Sequence, residues 1–417
     1  MFDFFKNKIV FIPDYDRNIG NLSEKLFYAL QKAKRENKQL LFVRKRLFFK
    51  FLFKKIKYKQ LNGIFALQSP LIYHNTFLDI LFGYIYGARY SFHIVWNAVL
   101  FVLKLKRPFT YELMGIGCSN LINTTNETIF QKEIANNIDW AAVYNDRLEI
   151  DLDKKDVEIC KEALANLGVT MNEWYVCLHI RTSHYHKDPD SFFRNSSPEN
   201  YLTAINYISL LGGKVIRLGD PVDMSINQYC IDYPNSKYKS ELMDLYLIKN
   251  CKFYMGTNSG ILDTAFLFGT PVLGVNYSDF CLTKLFKDCD KVLYKHMIDK
   301  KTGKELTIEN IFQKPMYINP NINEFYINKF HEDYEVHENT PEEILLATKE
   351  MLSDLECPKQ KNELDKVYDE IVLHAICRWI KEENGYFLDN IEEPYRLYQR
   401  TYCSGKVCNF YLKKQLI

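Results

Sequence analysis

Between Trp174 and Val275 the chain repeats one pattern that leaves few folds open: a short apolar run, a polar or glycine-containing break, then helical periodicity. The runs extend from Trp174 to Ile180, Lys214 to Leu218, Cys251 to Met255 and Pro271 to Val275. Helical patterns separate them, from Ser197 to Leu211, Glu241 to Lys249 and Ile261 to Phe268. Apolar runs bounded by turn residues read as strands buried on both faces, and strands joined by helices pair in parallel. An α/β fold whose four strands form a parallel sheet follows. Ser197 and Pro198 read as the N-cap and first residue of one helix, which Gly212 and Gly213 end.

The N-terminal part opens in the same way. Lys8 to Pro13 reads as a strand, Glu24 to Glu36 as a helix capped by Ser23, and Lys38 to Val43 as a second strand. The loop between strand and helix lacks the GxGxxG dinucleotide fingerprint. It does place Asp14 and Asp16 at a strand's carboxyl end, where catalytic groups collect in open α/β sheets. Ile64 to Leu105 reads as mostly helical. The 417 residues allow two or three domains. The divisions fall at 1–154 and 155–300, each Rossmann-like, and at 301–417, a loop and helical extension. Helices in that extension are expected from Pro341 to Leu355, capped by Thr340, and from Leu364 to Glu383.

Charge is divided unevenly. Residues 1–110 carry 20 Lys and Arg against 6 Asp and Glu, whereas the remainder carries 34 against 46. The most basic segment, from Arg44 to Lys59, mixes cations with aromatics. It reads either as a surface for anionic lipid headgroups or an acidic lipid-linked acceptor, or as an amphipathic helix with a solvated basic face. No RRM, KH or zinc-finger signature is present, so nucleic acid is not an expected partner. The 11 cysteines form no CxxC pair, which points to reduced thiols in the cytoplasm, with Cys177 and Cys251 in the core. The N-terminus lacks a signal-peptide pattern. The apolar stretch from Phe92 to Leu105 is broken by His93, Asn97 and Lys104, too short and polar to span a bilayer. A cytoplasmic protein, peripheral at the inner membrane face, is the expectation.

Where the run ending at Ile180 stops, polar groups crowd together: His179, Arg181, Thr182, Ser183, His184, Tyr185 and His186, then Arg194 and Asn195. In open α/β sheets a ligand sits just beyond the carboxyl ends of the strands. An Arg there can clamp a phosphate or carboxylate with two hydrogen bonds. Thr257, Asn258, Ser259 and Gly260 follow another strand on the same sheet edge, where free N–H groups favour an anion and glycine admits close approach. The plain alternative is an ordinary βα turn with Ser259 as a helix cap. Arg217 and Asp220 bracket a third strand end, either as a local ion pair or as a cation at the donor and a ribose contact. The three histidines lack the spacing of a zinc site, so no metal is expected. His184 or His186 could instead donate to a leaving phosphate. No Gly stands two residues before Ser259, which disfavours a serine hydrolase.

Taken in order, Cys177-Leu-His179-Ile-Arg181, Tyr185-His186, Arg194-Asn195 with Asn200-Tyr201, Gly213 through Pro221, and Met255 through Val272 resemble a family of bacterial glycosyltransferases from surface-polysaccharide gene clusters. The likeness covers mainly residues 174–276. The His-x-Arg core is also similar to the donor-phosphate motif of fucosyltransferases with GT-B folds, although Thr182-Ser183 stand where those often carry Arg and Asp. The resemblance implies a GT-B enzyme whose N-terminal lobe takes the acceptor and whose second lobe holds a nucleotide sugar. Arg181 would stabilise the leaving diphosphate, with His179 and His186 beside it. Tyr185, Arg194, Asn195, Arg217, Asp220, Thr257, Asn258, Ser259 and Gly260 would line the donor, and either Asp14, Asp16 or Glu24 would supply a base or no dedicated base would be used. No cofactor or metal is implied. The donor would be GDP-, CMP- or UDP-linked and the acceptor a glycan or lipid-linked molecule in cell-surface polysaccharide synthesis. Transfer of a non-sugar phosphorylated group and silent glycan binding are the competing readings.

Overall fold

The computed structural model describes residues 7–11, 19–44, 63–84, 145–146, 148–182, 193–221, 226–278, 287–312, 331–382 and 405–416. Asp14, Asp16, residues 45–59 of the basic segment, His184, Tyr185, His186 and the side chain of Glu24 lie outside them. Contacts divide the chain into two compact units, Met1–Asn136 with Leu148–Asp156, and Asn137–Arg147 with Val157–Ile417.

In the first unit, β1 (Lys8–Phe11), α1 (Ile19–Arg35) and β2 (Gln39–Phe42) form the expected strand–helix–strand opening. β3 (Leu67–Gln68) and β4 (Ile72–Tyr73) follow, and β5 (Asp151–Leu152) returns to pair with β3. β1, β2 and β4 lie side by side and parallel. α1 buries Leu22, Leu26, Ala29, Leu30 and Ala33, a helical stripe that gives it a place on the sheet. The helix begins four residues before the expected cap. Ser23 sits inside it, donating from Oγ to the Ile19 carbonyl at 2.8 Å. The helix ends where Asn37 takes φ +50° and the Lys38 amide bonds back to the Ala33 carbonyl at 2.8 Å. The expected helix from Ile64 does not form at its start: 63–66 is a 3₁₀ turn leading into β3 and β4, and residues 76–84 are helical. Ser69 and Pro70 explain the break, as they turn the chain between the two short strands.

The second unit is built on one parallel sheet of seven described strands, not four. β6 (Tyr175–His179), β7 (Lys214–Arg217), β8 (Cys230–Ile231), β9 (Phe253–Gly256), β10 (Val272–Tyr277) and β11 (Lys291–Tyr294) come in chain order. β12 (His296–Asp299) and β13 (Tyr334–His337) form a separate antiparallel pair, and β14 (Lys406–Val407) brings the C-terminal region back to the edge of the main sheet. The spatial order is β14-β11-β10-β9-β6-β7-β8. Read from the other edge it runs third, second, first, fourth, fifth, sixth, which is the doubly wound order. Val176, Cys177, Leu178, Phe253, Tyr254, Met255, Val272 and Leu273 are fully buried, as central strands covered on both faces require.

Helices α2 (Lys154–Asn166), α3 (Leu202–Leu210), α4 (Glu241–Asn250), α5 (Leu262–Phe268), α6 (Pro341–Glu356), α7 (Glu363–Glu382) and α8 (Asn409–Leu416) complete the described core. α4 is capped by Ser240, which accepts from the Met243 amide at 3.1 Å. Thr340 and Glu343 form a reciprocal capping box at the start of α6, as read from the sequence. Ser197 caps nothing with its side chain. Pro198–Tyr201 is a 3₁₀ turn that precedes α3, and the Ser197 hydroxyl donates to Glu338 instead.

Candidate functional site

Strand order decides where a ligand can sit. From β6 the chain crosses to β7 and β8 on one side, whereas β9 leads to β10 and β11 on the other. Crossovers that leave in opposite directions open a crevice beyond the carboxyl ends of β6 and β9. The two polar motifs meet there. His179 is paired in register with Gly256, the Thr257 amide donates to the His179 carbonyl at 3.3 Å, and the Arg181 amide donates to Thr257 Oγ1 at 3.3 Å. Gly256 is required by this approach, since a Cβ at that position would lie 2.4 Å from the His179 carbonyl oxygen.

Arg181 is 8% exposed and Thr257 is fully buried. Asn258, Ser259 and Gly260 keep partial exposure. Asn258 Oδ1 accepts from Ser278 Oγ at 3.2 Å, which ties the turn to the end of β10. Ser259 is not a helix cap: α5 starts from Ile261 without a side-chain cap, and the Ser259 carbonyl accepts from the Leu262 amide at 3.0 Å. α5 has only seven residues, so the turn's own backbone N–H groups and side chains, rather than a long helix dipole, are what it can offer an anion.

His179 keeps some exposure as a residue, but its Nδ1 is shielded and has no hydrogen-bond partner among the described residues. Burial, reinforced by Arg181, Lys239 and Arg217, holds its pKa down to about 4. The imidazole is therefore neutral near pH 7. Gly219, at φ +115°, presents only hydrogen toward the Nε2 edge of that ring, where a Cβ would stand 3.6 Å away.

Arg217 is buried, and its ion pair forms with Asp232 rather than Asp220. Nε donates to Asp232 Oδ1 at 2.8 Å, Nη2 contacts the same oxygen, and Nη1 reaches only the Asp220 backbone carbonyl, at 3.4 Å. The Asp220 side chain is exposed. Arg194 lies with its guanidinium 5.9 Å from the Phe193 ring centroid, on the segment that returns to β6 through the Ser196 amide and the Arg181 carbonyl, 2.9 Å apart.

A second polar group at this sheet edge has no simple sequence signal. Lys295, 2% exposed at the end of β11, donates to the Asn195 carbonyl at 2.5 Å. Burial brings its pKa down to about 8, against the opposing pull of Glu338. Glu338 accepts from Ser196 Oγ at 3.0 Å, the Ser197 amide at 2.8 Å and Asn200 Nδ2 at 2.8 Å. Asn276, at φ +50°, donates to Ser196 Oγ at 2.8 Å and exchanges two backbone–side-chain bonds with Asn339. Together these groups hold 195–201 against the end of β10 and against Arg181. Asn195 and Asn200 belong to the motif read from the sequence and Asn276 stands just after an apolar run, whereas Lys295 and Glu338 carry no such signal.

Among the described residues no group of three or more His, Cys, Asp or Glu could hold a metal ion. The described cysteines are free, with Cys177 and Cys251 buried as expected.

No family model and no curated protein matches the chain. Among solved structures it aligns with a glycosyl transferase family 9 protein from Veillonella parvula, at TM-score 0.34 and 12% identity over 66% of this chain and 82% of that one. The E. coli ADP-heptose LPS heptosyltransferase II gives TM-score 0.39 and 10% identity over 84% and 100%. The iron-containing heptosyltransferase TibC of E. coli, in complex with ADP-heptose, gives 0.37 and 13% over 84% and 77%. At such low identity and TM-score these proteins assign neither chemistry nor arrangement to this chain.

Proposed function

We propose that the second unit binds the diphosphate of a nucleotide sugar beyond the carboxyl ends of β6 and β9, and that the protein is a glycosyltransferase of GT-B type. The observation that carries this reading is the joining of His179–Arg181 to Thr257–Gly260 at the crossover switch of a doubly wound sheet. Arg181 is the cation at that junction and would take up charge on the leaving diphosphate, the part a metal plays in other transferases. His179, neutral, would donate or accept one hydrogen bond without changing charge. Arg194 and Asn195 would flank the sugar or phosphate, and Asn258 to Gly260 the nucleotide. Asp220 would contact a ribose. Arg217, held by Asp232, would act through the field it adds. Tyr185 and His186 would complete the donor side, with Asp14 or Asp16 as base toward a glycan or lipid-linked acceptor taken by the first unit.

Thermal unfolding and calorimetric binding with UDP, GDP, CMP and ADP test the reading. One nucleotide should raise the unfolding temperature, and Arg181→Ala should weaken its binding about 10- to 100-fold, the loss of one or two charge-assisted hydrogen bonds. If no nucleotide shifts the transition and Arg181→Ala leaves all profiles unchanged, the donor-site reading fails.

A further inference from the structure

The Asn195–Ser196 peptide joins two cations that lie far apart in sequence. Its N–H donates to the Arg181 carbonyl at 2.9 Å, and its C=O accepts from Lys295 Nζ at 2.5 Å. The N–H and C=O of a trans peptide point in opposite directions, so the Arg181 carbonyl and the Lys295 ammonium stand on opposite sides of this one group. The Arg181 backbone is thereby held twice: its amide donates to Thr257 Oγ1 and its carbonyl takes the Ser196 amide. Lys295 is anchored too. Its own amide donates to the Tyr277 carbonyl at 2.9 Å, one residue before Ser278, whose hydroxyl donates to Asn258. The ends of β10 and β11 therefore reach both polar motifs of the crevice.

Holding a loop does not by itself call for a charge. Lys295 is 2% exposed, forms no ion pair among the described residues, and uses Nζ there for one hydrogen bond, to a neutral carbonyl. Glu338 attracts it only from beyond ion-pair distance. Burying an ammonium costs several kcal/mol, and a neutral donor would close the same hydrogen bond without that cost. What a charge adds is polarisation: a cation on the C=O strengthens the donor at the N–H of the same peptide. We propose that Lys295 is a positioning residue for the anion site, its ammonium fixing the Arg181 backbone through the Asn195–Ser196 peptide so that the guanidinium meets a diphosphate. The role rests on the reading of Arg181 as the cation at that site. β11 lies two strands from β9 in the sheet, so no pattern at the crevice itself marks Lys295.

The peptide can be followed directly. The chain has three Asn–Ser pairs, Asn195–Ser196, Asn235–Ser236 and Asn258–Ser259, so ¹³C at the Asn carbonyl and ¹⁵N at Ser leave three amide signals in the full-length protein. Burial brings the Lys295 pKa to about 8, so the Ser196 signal should titrate with a midpoint near that pH while the Ser236 signal stays still. His296, held by Glu305 and Glu343, titrates at about 9, and His296→Gln should leave the Ser196 midpoint in place. Lys295→Met should abolish the titration. At neutral pH, Lys295→Met should also weaken binding of inorganic pyrophosphate, and of the stabilising nucleotide, about tenfold, and Lys295→Arg should restore most of it. Should Lys295→Met lose cooperative unfolding, the wild type decides alone: a Ser196 signal that stays flat through about pH 8 overturns the proposal. Pyrophosphate affinity that is equal in wild type and Lys295→Met, or absent from both, overturns it as well. Pyrophosphate binding that depends on Lys295 while no nucleotide binds would instead overturn the donor reading and leave the positioning role standing.

Discussion

Replacing Gly256 by Ala tests the junction on which the proposed donor site depends. The added Cβ would stand 2.4 Å from the His179 carbonyl oxygen, 3.2 Å from its carbon and 3.2 Å from Tyr254 Oη. The nearest atom is backbone, held by the Thr257 amide at 3.3 Å and by the β6–β9 ladder, so no flexible tip can swing away. Relief requires the carboxyl ends of β6 and β9 to separate by most of an ångström in the middle of a buried sheet. Overpacking costs about 1–3 kcal/mol, and backbone against backbone belongs at the upper end. At about 2–4 °C per kcal/mol for a body of this size, the unfolding temperature should fall by about 6–12 °C. Gly212→Ala is the control. Its φ is +78° and nothing lies within 4 Å of the added atom, so only left-handed strain of about 1–2 kcal/mol applies. Calorimetry of both variants, with the stabilising nucleotide present and absent, should show the smaller drop for Gly212→Ala and loss of the nucleotide shift for Gly256→Ala alone. A Gly256→Ala transition within about 1 °C of wild type would refute the packing argument. A large drop with nucleotide binding intact would refute the placement of the site.

Glu338→Ala should cost about 2–3 kcal/mol, because it strips the acceptor from Ser196, Ser197 and Asn200 and leaves Lys295 without its carboxylate. Hydrogen exchange should localise the loss to 195–201, and uniform loss over the unit would count against a local clamp. His296 gives a pH prediction. Burial opposes its charge, but Glu305 at 2.6 Å and Glu343 at 2.8 Å outweigh it and raise the pKa from 6.5 to about 9. The imidazolium therefore stabilises the fold fully below about pH 6.5, and that stability is lost as pH rises through about 9. The loss should reach about 2–3 kcal/mol, allowing for sharing with Lys414, which lies 2.9 Å from Glu305. Denaturant titrations of wild type and His296→Gln should diverge in slope across that window, and parallel slopes would sink the assignment.

The strands β1, β2, β6, β7, β9 and β10 were readable because each is a local matter: a few apolar residues between turn formers must be buried whatever lies beside them. β8 and β14 were missed because each has two residues, whereas β11, which opens on a lysine as β1 and β7 do, was passed over although Val292 to Tyr294 form a short apolar run. The helix before α3 was misread at Ser197 because its capping pattern is real in sequence, yet Glu338, 141 residues away, takes the hydroxyl. A local ion pair with Asp220 was one of two readings of Arg217, whereas Asp232, brought beside it by the return of β8, is the partner.

By itself, the sequence determined that the chain is α/β, that strand ends carry His179, Arg181 and Thr257 to Gly260, and that its first 110 residues are basic. Burial period and residue chemistry are written along the chain. Only the tertiary structure decided that β6 and β9 are neighbours at the point where the crossovers reverse, that His179 is neutral, and that one peptide joins Lys295 to Arg181. Each of those depends on contacts between residues far apart in sequence, whose free energies are settled by packing and desolvation rather than by local pattern.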